Sequence, residues 1–157
     1  MPFTKNNHIE RKINLLPVIQ YKNIIVIINK AEQIRHNQLH LLFSNASFSF
    51  LTLRSEKTDD SNGLNFTLHK SDFRFGTLKN DRLKILIKQE FDLLIDLSNN
   101  KNLSYFSRVI NAGLKTGCFN RANNQNFDLL VKHQDSIEKI INDIANQINI
   151  LTTNKEQ

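Results

Sequence analysis

Five consecutive β-branched residues, Ile24-Ile25-Val26-Ile27-Ile28, are the feature that most limits what this chain can fold into. Because the run has no polar side, it is typical of a strand that is covered on both faces of a sheet. Leu93, Leu94, Ile95 and Leu97 form a second run of the same kind. We therefore predict two adjacent, parallel central strands, at residues 24–29 and 91–97.

The segment 91–120 has the pattern of a strand, a loop, a helix and a second strand. Ser98, Asn99 and Asn100 are typical of turns and helix caps. Apolar residues at helical spacing then predict a helix ending near Gly113: Leu103, Phe106, Ile110 and Leu114. With Gly117 at the entry to the next strand, the segment predicts one βαβ unit.

The remaining elements follow from hydrophobic periodicity and from turn residues. Predicted helices cover residues 4–16 (ended by Pro17), 31–42, 80–90 and 136–148, and predicted strands cover 48–53, 64–68, 116–120 and 127–131. Residues 54–63 are predicted to form a polar loop. Because only six residues join the last two strands, we expect that pair to be antiparallel.

Alternating strands and helices predict an α/β fold. We expect a single three-layer domain, Rossmann-like or flavodoxin-like, with a mostly parallel sheet of about five strands and an antiparallel edge. The expected strand order is 48–53, 24–29, 92–97, 116–120, 127–131. Residues 1–22 are expected to be an N-terminal helical extension, 23–151 the α/β domain, and 152–157 a disordered tail.

The composition narrows the classes of protein. The single cysteine, Cys118, excludes an intramolecular disulfide and a cysteine-based metal knuckle. The N-terminus lacks the apolar region of a secretory signal, and no apolar run is long enough to span a bilayer, so we expect a cytoplasmic protein without a membrane partner. The net charge of +6 favours acidic partners such as nucleic acid. The basic residues are, however, spread along the chain and interleaved with acidic ones.

Several of these segments resemble an uncharacterised family of small bacterial α/β proteins. The matching pieces are Ile24–Asn29, Phe75-Gly76, Phe91–Ser98, Ala112–Gly117 and Phe127–Val131. This resemblance covers most of the chain and implies no known activity. Residues 86–119 are also similar to the N-terminal half of heptosyltransferase-type glycosyltransferases, in their Phe-Asp-Leu-Leu-Ile-Asp-Leu strand and their Ala-Gly-Leu-Lys step. That likeness implies a Rossmann-like layer order by analogy of fold.

Ligands of open α/β sheets bind beyond the carboxyl ends of the strands, where the strand order reverses. Six residues would lie at that rim and form the candidate ligand site: Asn29, Lys30, Asp96, Ser98, Asn99 and Asn100. The alternative interpretation is that these residues only cap helices and form turns. No glycine-rich phosphate loop follows either central strand, so no cofactor is predicted.

Other chemistry-bearing residues have ordinary interpretations. His36 and His40 have a spacing that can bind a metal, but no further ligand completes a set, so we predict no metal site. Cys118 is interpreted as a small buried residue, and no catalytic residue is assigned. Five basic residues would form a patch if their helices shared one side of the sheet, although solvated helix faces are the simpler interpretation: Arg82, Lys84, Lys88, Arg108 and Lys115.

Three classes of function remain open from the sequence. The first is a non-catalytic α/β module that binds a protein partner or assembles with itself. The second is a basic protein associated with nucleic acid. The third is a small or degenerate enzyme with its site near Asp96. We favour the first because the motifs that would support the other two are missing.

Overall fold

The computed structural model describes residues 11–30, 33–53, 65–118 and 124–156 of the 157-residue chain. The strands within these ranges are β1 (Asn23–Ile27), β2 (Ser47–Leu53), β3 (Asn65–Leu68), β4 (Phe73–Arg74), β5 (Thr77–Leu78), β6 (Glu90–Asp96), β7 (Asn111–Cys118) and β8 (Leu129–Val131). The helices are α1 (His36–Leu42), α2 (Asp81–Lys88), α3 (Lys101–Val109) and α4 (Ile137–Glu156). The helix predicted over 31–42 thus begins at His36 in its described part, whereas the loop predicted over 54–63 lies outside the described residues.

Six strands form one sheet in the order β3-β2-β1-β6-β7-β8, and every neighbouring pair is parallel. The two predicted central strands are adjacent, with Ile24 opposite Leu93 and Val26 opposite Ile95. All four side chains are fully buried, as expected of strands covered on both faces. The predicted α/β fold is confirmed, and β4 and β5 form a separate antiparallel hairpin.

Helices cover both faces of the sheet because successive side chains of a strand point to opposite sides. Ile24 and Val26 belong to a core cluster that includes residues of α1 and α4. Ile25 and Ile27 belong to a second cluster that includes residues of α2 and α3. The result is three layers, with α1 and α4 on one side of the sheet and α2 and α3 on the other.

The expected antiparallel edge is wrong, because β8 pairs with β7 in parallel, with Thr116 opposite Leu129 and Cys118 opposite Val131. The prediction took Phe127 as the first residue of the strand, which left a connection of only six residues. The strand begins at Leu129 instead, after a 3₁₀ turn at Asn124–Asn126. The connection is therefore longer than the prediction allowed. It lets the chain run back along the sheet, so that β8 points in the same direction as β7.

The predicted boundary between α3 and the strand after it is also wrong. The helix ends at Val109, and both Gly113 and Gly117 lie inside β7. Ile110 and Leu114 belong to the clusters on opposite sides of the sheet, so they do not share a helix face. Gly117 allows a close approach instead, because a Cβ atom there would lie 3.0 Å from the ring of Phe127.

Both ends of the described chain differ from the predictions. Residues 11–17 are irregular, so the predicted helix over 4–16 is not formed in its described part, and its residues 4–10 lie outside the described ranges. Asn14 instead donates its N–H to the carbonyl of Gly113 in β7, at 2.8 Å. The tail predicted from residue 152 is wrong as well, because α4 continues to Glu156 and Thr152 is buried.

Candidate functional site

A cavity of about 540 Å³ opens beyond the carboxyl ends of β1, β6, β7 and β8, beside the start of α4. The chain builds outward from β1 to β2 and β3 and then returns to place β6 on the other side of β1. The strand order therefore reverses between β1 and β6, which is where open α/β sheets bind ligands. The volume is in the range of small-molecule sites.

Two asparagines join the loops that follow β1 and β6. The side-chain amide of Asn29 donates to the side-chain oxygen of Asn99, and the backbone N–H of Asn99 donates to the side-chain oxygen of Asn29 at 3.3 Å. Both residues line the cavity. This reciprocal pair holds the two loops together at the reversal point and presents amide groups to the cavity.

Asp96 lies at the end of β6 with only 5% of its surface exposed. One carboxylate oxygen accepts hydrogen bonds from the N–H and the hydroxyl of Ser98, at 2.8 and 2.7 Å. The other accepts a hydrogen bond from the hydroxyl of Ser107 in α3. Burial raises the pKa of Asp96 above its ordinary value, and these hydrogen bonds only partly oppose that effect. Both oxygens are engaged within the protein, so Asp96 ties the end of the strand to α3.

The structure brings together four of the six predicted site residues. Asn29, Asp96, Ser98 and Asn99 line the cavity. The other two are not among its lining residues. The backbone N–H of Lys30 donates to the side chain of Gln33, and the side chain of Asn100 accepts hydrogen bonds from two backbone N–H groups in the first turn of α3, as the capping interpretation expects.

Much of the lining was not predicted from the sequence: Gln33, Cys118, Phe127, His133, Gln134 and Asp135. Most of these residues follow β7 or β8. An antiparallel β8 would put the residues after Val131 at the opposite end of the sheet, whereas the parallel β8 brings His133 and its neighbours to the same end as Asp96. The polar run Lys132-His133-Gln134-Asp135, directly after a strand, is a sequence signal for such residues, but it does not give the direction of the strand.

The polar groups of the lining are mostly uncharged. Asn29, Gln33, Asn99 and Gln134 supply amides, and Ser98 supplies a hydroxyl. The charged members are the carboxylates of Asp96 and Asp135, and none of the described lining residues is a lysine or an arginine. Leu97, Phe127, Ile137 and Ile140 provide apolar walls. Such a lining suits a small ligand with hydrogen-bonding groups better than it suits a phosphate.

The two histidines with metal-like spacing contact aromatic rings. The ring of His36 lies 4.8 Å from that of Phe50, and the ring of His40 lies 5.1 Å from that of Phe48, between ring centres. Within the described ranges, no group of three or more histidine, cysteine, aspartate or glutamate side chains is placed to hold a metal. Nor does any described helix have the length and apolar character needed to cross a membrane.

Of the five basic residues considered as a patch, Lys115 is buried rather than exposed. Its ammonium group donates to the carbonyl of Arg108 in the last turn of α3, at 3.0 Å. The pKa of Lys115 is lowered to about 8, mainly by burial and also by the positive charge of Arg11, while Asp128 partly opposes both effects. Lys115 thus donates to the last turn of α3, although its burial disfavours the charged form.

The fold and the site define an α/β protein with a parallel sheet and a polar cavity at the carboxyl ends of its strands. The chain belongs to the Family of unknown function (DUF6913), whose family model matches residues 4–151. This result confirms the predicted resemblance to an uncharacterised family. Comparison with curated proteins and with solved structures gave no match. The likeness to heptosyltransferases stays a prediction.

Proposed function

We propose that this protein is a non-catalytic module that binds a small, polar, non-phosphorylated molecule in the cavity beyond β1, β6, β7 and β8. The observation that carries the proposal is the lining, in which amides and a hydroxyl surround about 540 Å³ with no described lysine or arginine. The strand order of the large sheet also supports the proposal, because it matches that of doubly wound Rossmann-like folds. Those folds bind ligands beyond the carboxyl ends of their strands.

The state of Asp96 supports a binding role over a catalytic one. A general base must be free to take a proton from a substrate. The oxygens of Asp96 already accept three hydrogen bonds from Ser98 and Ser107. We therefore assign Asp96 to the framework of the site, and we assign ligand contact to Asn99, His133 and Gln134.

A metabolite library screened by thermal shift tests this proposal. We expect hits among neutral or cationic polar compounds, and we expect Asn99→Ala or His133→Ala to weaken them. The matched control is Asn111→Ala, since Asn111 lines a separate pocket at the amino ends of the strands. Hits that are weakened by Asn111→Ala and not by Asn99→Ala would place the ligand at the amino ends of the strands and contradict the proposal.

A small enzyme is the second candidate, and one observation favours it. Cys118, at the end of β7, and His133, after β8, line the same cavity, and a cysteine nucleophile is usually activated by a histidine of the same site. Alkylation of Cys118 by iodoacetamide across pH distinguishes the two candidates. The enzyme is supported if Cys118 is alkylated at pH values well below the ordinary pKa of a thiol and if His133→Gln moves this reaction to higher pH. An unshifted profile supports the binding module.

A further inference from the structure

The turn of the β4–β5 hairpin carries a residue that its backbone disfavours. Phe75 and Gly76 have φ angles of +53° and +76°, so both central residues of this two-residue turn are left-handed. Such turns are usually built from asparagine, aspartate and glycine, because a side chain with a large Cβ substituent is strained there. Phenylalanine at this position therefore costs folding free energy.

Phe75 gains nothing from burial that would offset this cost. Its exposed fraction is 97%, compared with 83% for Leu41 on α1. Its hairpin neighbours differ, since Leu78 is buried and Phe73 is partly buried against α3. A residue that is both strained and fully exposed points to a role in binding rather than in folding.

Two exposed cations flank the turn. Arg74 and Lys79 lie on the face of the hairpin opposite to Leu78, because successive side chains of a strand alternate between its faces. Phe73, which pairs with Leu78, points to the other face and meets the ring of Tyr105 in α3 at 5.3 Å. We call Arg74, Phe75 and Lys79 the hairpin surface.

The nearby carboxylates are already engaged. Asp72 accepts hydrogen bonds from the backbone of His69 and the side chain of Asn80. Asp81 faces Lys84 at 3.8 Å on α2. The hairpin surface itself contains two cations and no carboxylate, in a chain with a net charge of +6. It therefore attracts a polyanion.

We propose that the hairpin surface binds single-stranded nucleic acid, with a base stacked on Phe75 and phosphates at Arg74 and Lys79. Aromatic side chains and cations in alternation are the features by which proteins hold single strands without reading a sequence. A membrane is the weaker fit, since a single aromatic side chain beside two cations inserts little apolar area, and stable anchoring takes more.

Fluorescence anisotropy with labelled oligouridine and oligodeoxythymidine of about 16 nucleotides tests the proposal at about 50 mM salt and above. The principal variant is Phe75→Asn, because asparagine suits the left-handed turn and should keep or raise the melting temperature. The matched control is Leu41→Asn, which removes another exposed apolar side chain on the opposite side of the sheet. The RNA and DNA arms show which sugar is preferred.

We expect Phe75→Asn to weaken binding by roughly 5- to 100-fold and Leu41→Asn to leave it unchanged. Arg74→Gln should lower the slope of log affinity against log salt by about 0.7. Failure of the wild-type protein to bind either oligonucleotide would overturn the proposal, as would equal affinities of Phe75→Asn and wild type. Phe75-dependent binding to phosphatidylserine vesicles, with oligonucleotide binding unaffected by the variant, would overturn it in favour of a membrane.

Discussion

Ser107 of α3 donates its hydroxyl to the carboxylate of Asp96, in a place where Ser107 is fully buried and Asp96 is 5% exposed. The contact joins the end of a central strand to the helix that follows it. A buried carboxylate is costly when ionised, and its hydroxyl partners recover only part of that cost. The pair is therefore a point where stability depends on pH.

Asp96→Asn should leave the free energy of unfolding at neutral pH unchanged or raise it by about 1 kcal/mol. An asparagine oxygen can still accept from Ser98, and its amide can donate to Ser107. The folded pKa of Asp96 is raised, so the folded state binds more protons than the unfolded state between the two pKa values. Wild-type stability contributed by this group is thus present at low pH and is lost as pH rises through the folded pKa.

Urea unfolding of wild type and Asp96→Asn from about pH 4 to pH 8 measures this difference. We expect the variant to gain stability relative to wild type as pH rises. Asp92→Asn, at the amino end of the same strand, is the control for the loss of a carboxylate that accepts backbone hydrogen bonds. A difference between wild type and Asp96→Asn that is constant with pH would contradict the expectation.

Lys115→Met should change the pH dependence at the alkaline end. The folded pKa of Lys115 is lowered to about 8 from 10.5, so the folded state releases the proton first. The stability linked to this group is fully present above the unfolded pKa and is lost as pH falls through about 8. Melting temperatures between pH 7 and about 10.5 should therefore rise in wild type relative to Lys115→Met. Lys84→Met, at an exposed position, is the control for the loss of a lysine side chain.

Arg11→Ala should lower the free energy of unfolding by about 1–3 kcal/mol. The guanidinium of Arg11 forms two hydrogen bonds to the carboxylate of Asp128, at 2.8 and 2.5 Å, and further ones to the carbonyl of Ala112. Asp128 also accepts the backbone N–H of Lys115. Arg11→Lys keeps the positive charge but loses the paired hydrogen bonds of the guanidinium, so its free energy of unfolding should lie between those of wild type and Arg11→Ala. Equal urea midpoints for all three proteins would show that the contact carries no stability.

Ile95→Asp should abolish soluble folding. Ile95 is fully buried in the central strand β6, and an unpaired charge there costs several kcal/mol, against a total stability of about 5–15 kcal/mol. Ile85→Asp is the matched control, because Ile85 is 58% exposed on α2. Recovery in the soluble fraction and circular dichroism compare the two. A soluble, folded Ile95→Asp protein would contradict the burial of Ile95 in the core.

The central sheet was predictable because its strands have no polar face. Ile24–Ile28 and the run around Ile95 allow one kind of placement, and their parallel pairing follows from the helices between them. The order of the five predicted strands was correct for the same reason. The spacing of apolar residues gave the wrong element at Ile110 and Leu114, because their spacing fits both a helix and a strand. Only tertiary packing decides between the two structures there.

The lining of the candidate site was predictable only as far as the topology was. Asn29, Asp96, Ser98 and Asn99 follow central strands, so the general rule for parallel sheets located them. The residues around His133 depended on the direction of a three-residue edge strand, which hydrophobicity does not encode. The hydrogen bond from Ser107 to Asp96 could not be predicted for another reason. It depends on which face of α3 is turned towards β6, and the sequence does not give that orientation precisely enough.

In the part of the chain that the structure describes, the outermost strands of the large sheet are its shortest, with four residues in β3 and three in β8. A second molecule that added a strand at either border would form few backbone hydrogen bonds there. Short borders of this kind discourage the open-ended stacking of sheets from one molecule to the next. Any pairing of two copies is therefore expected to use helix surfaces, so that the sheet does not continue from one molecule into the next even at high protein concentration.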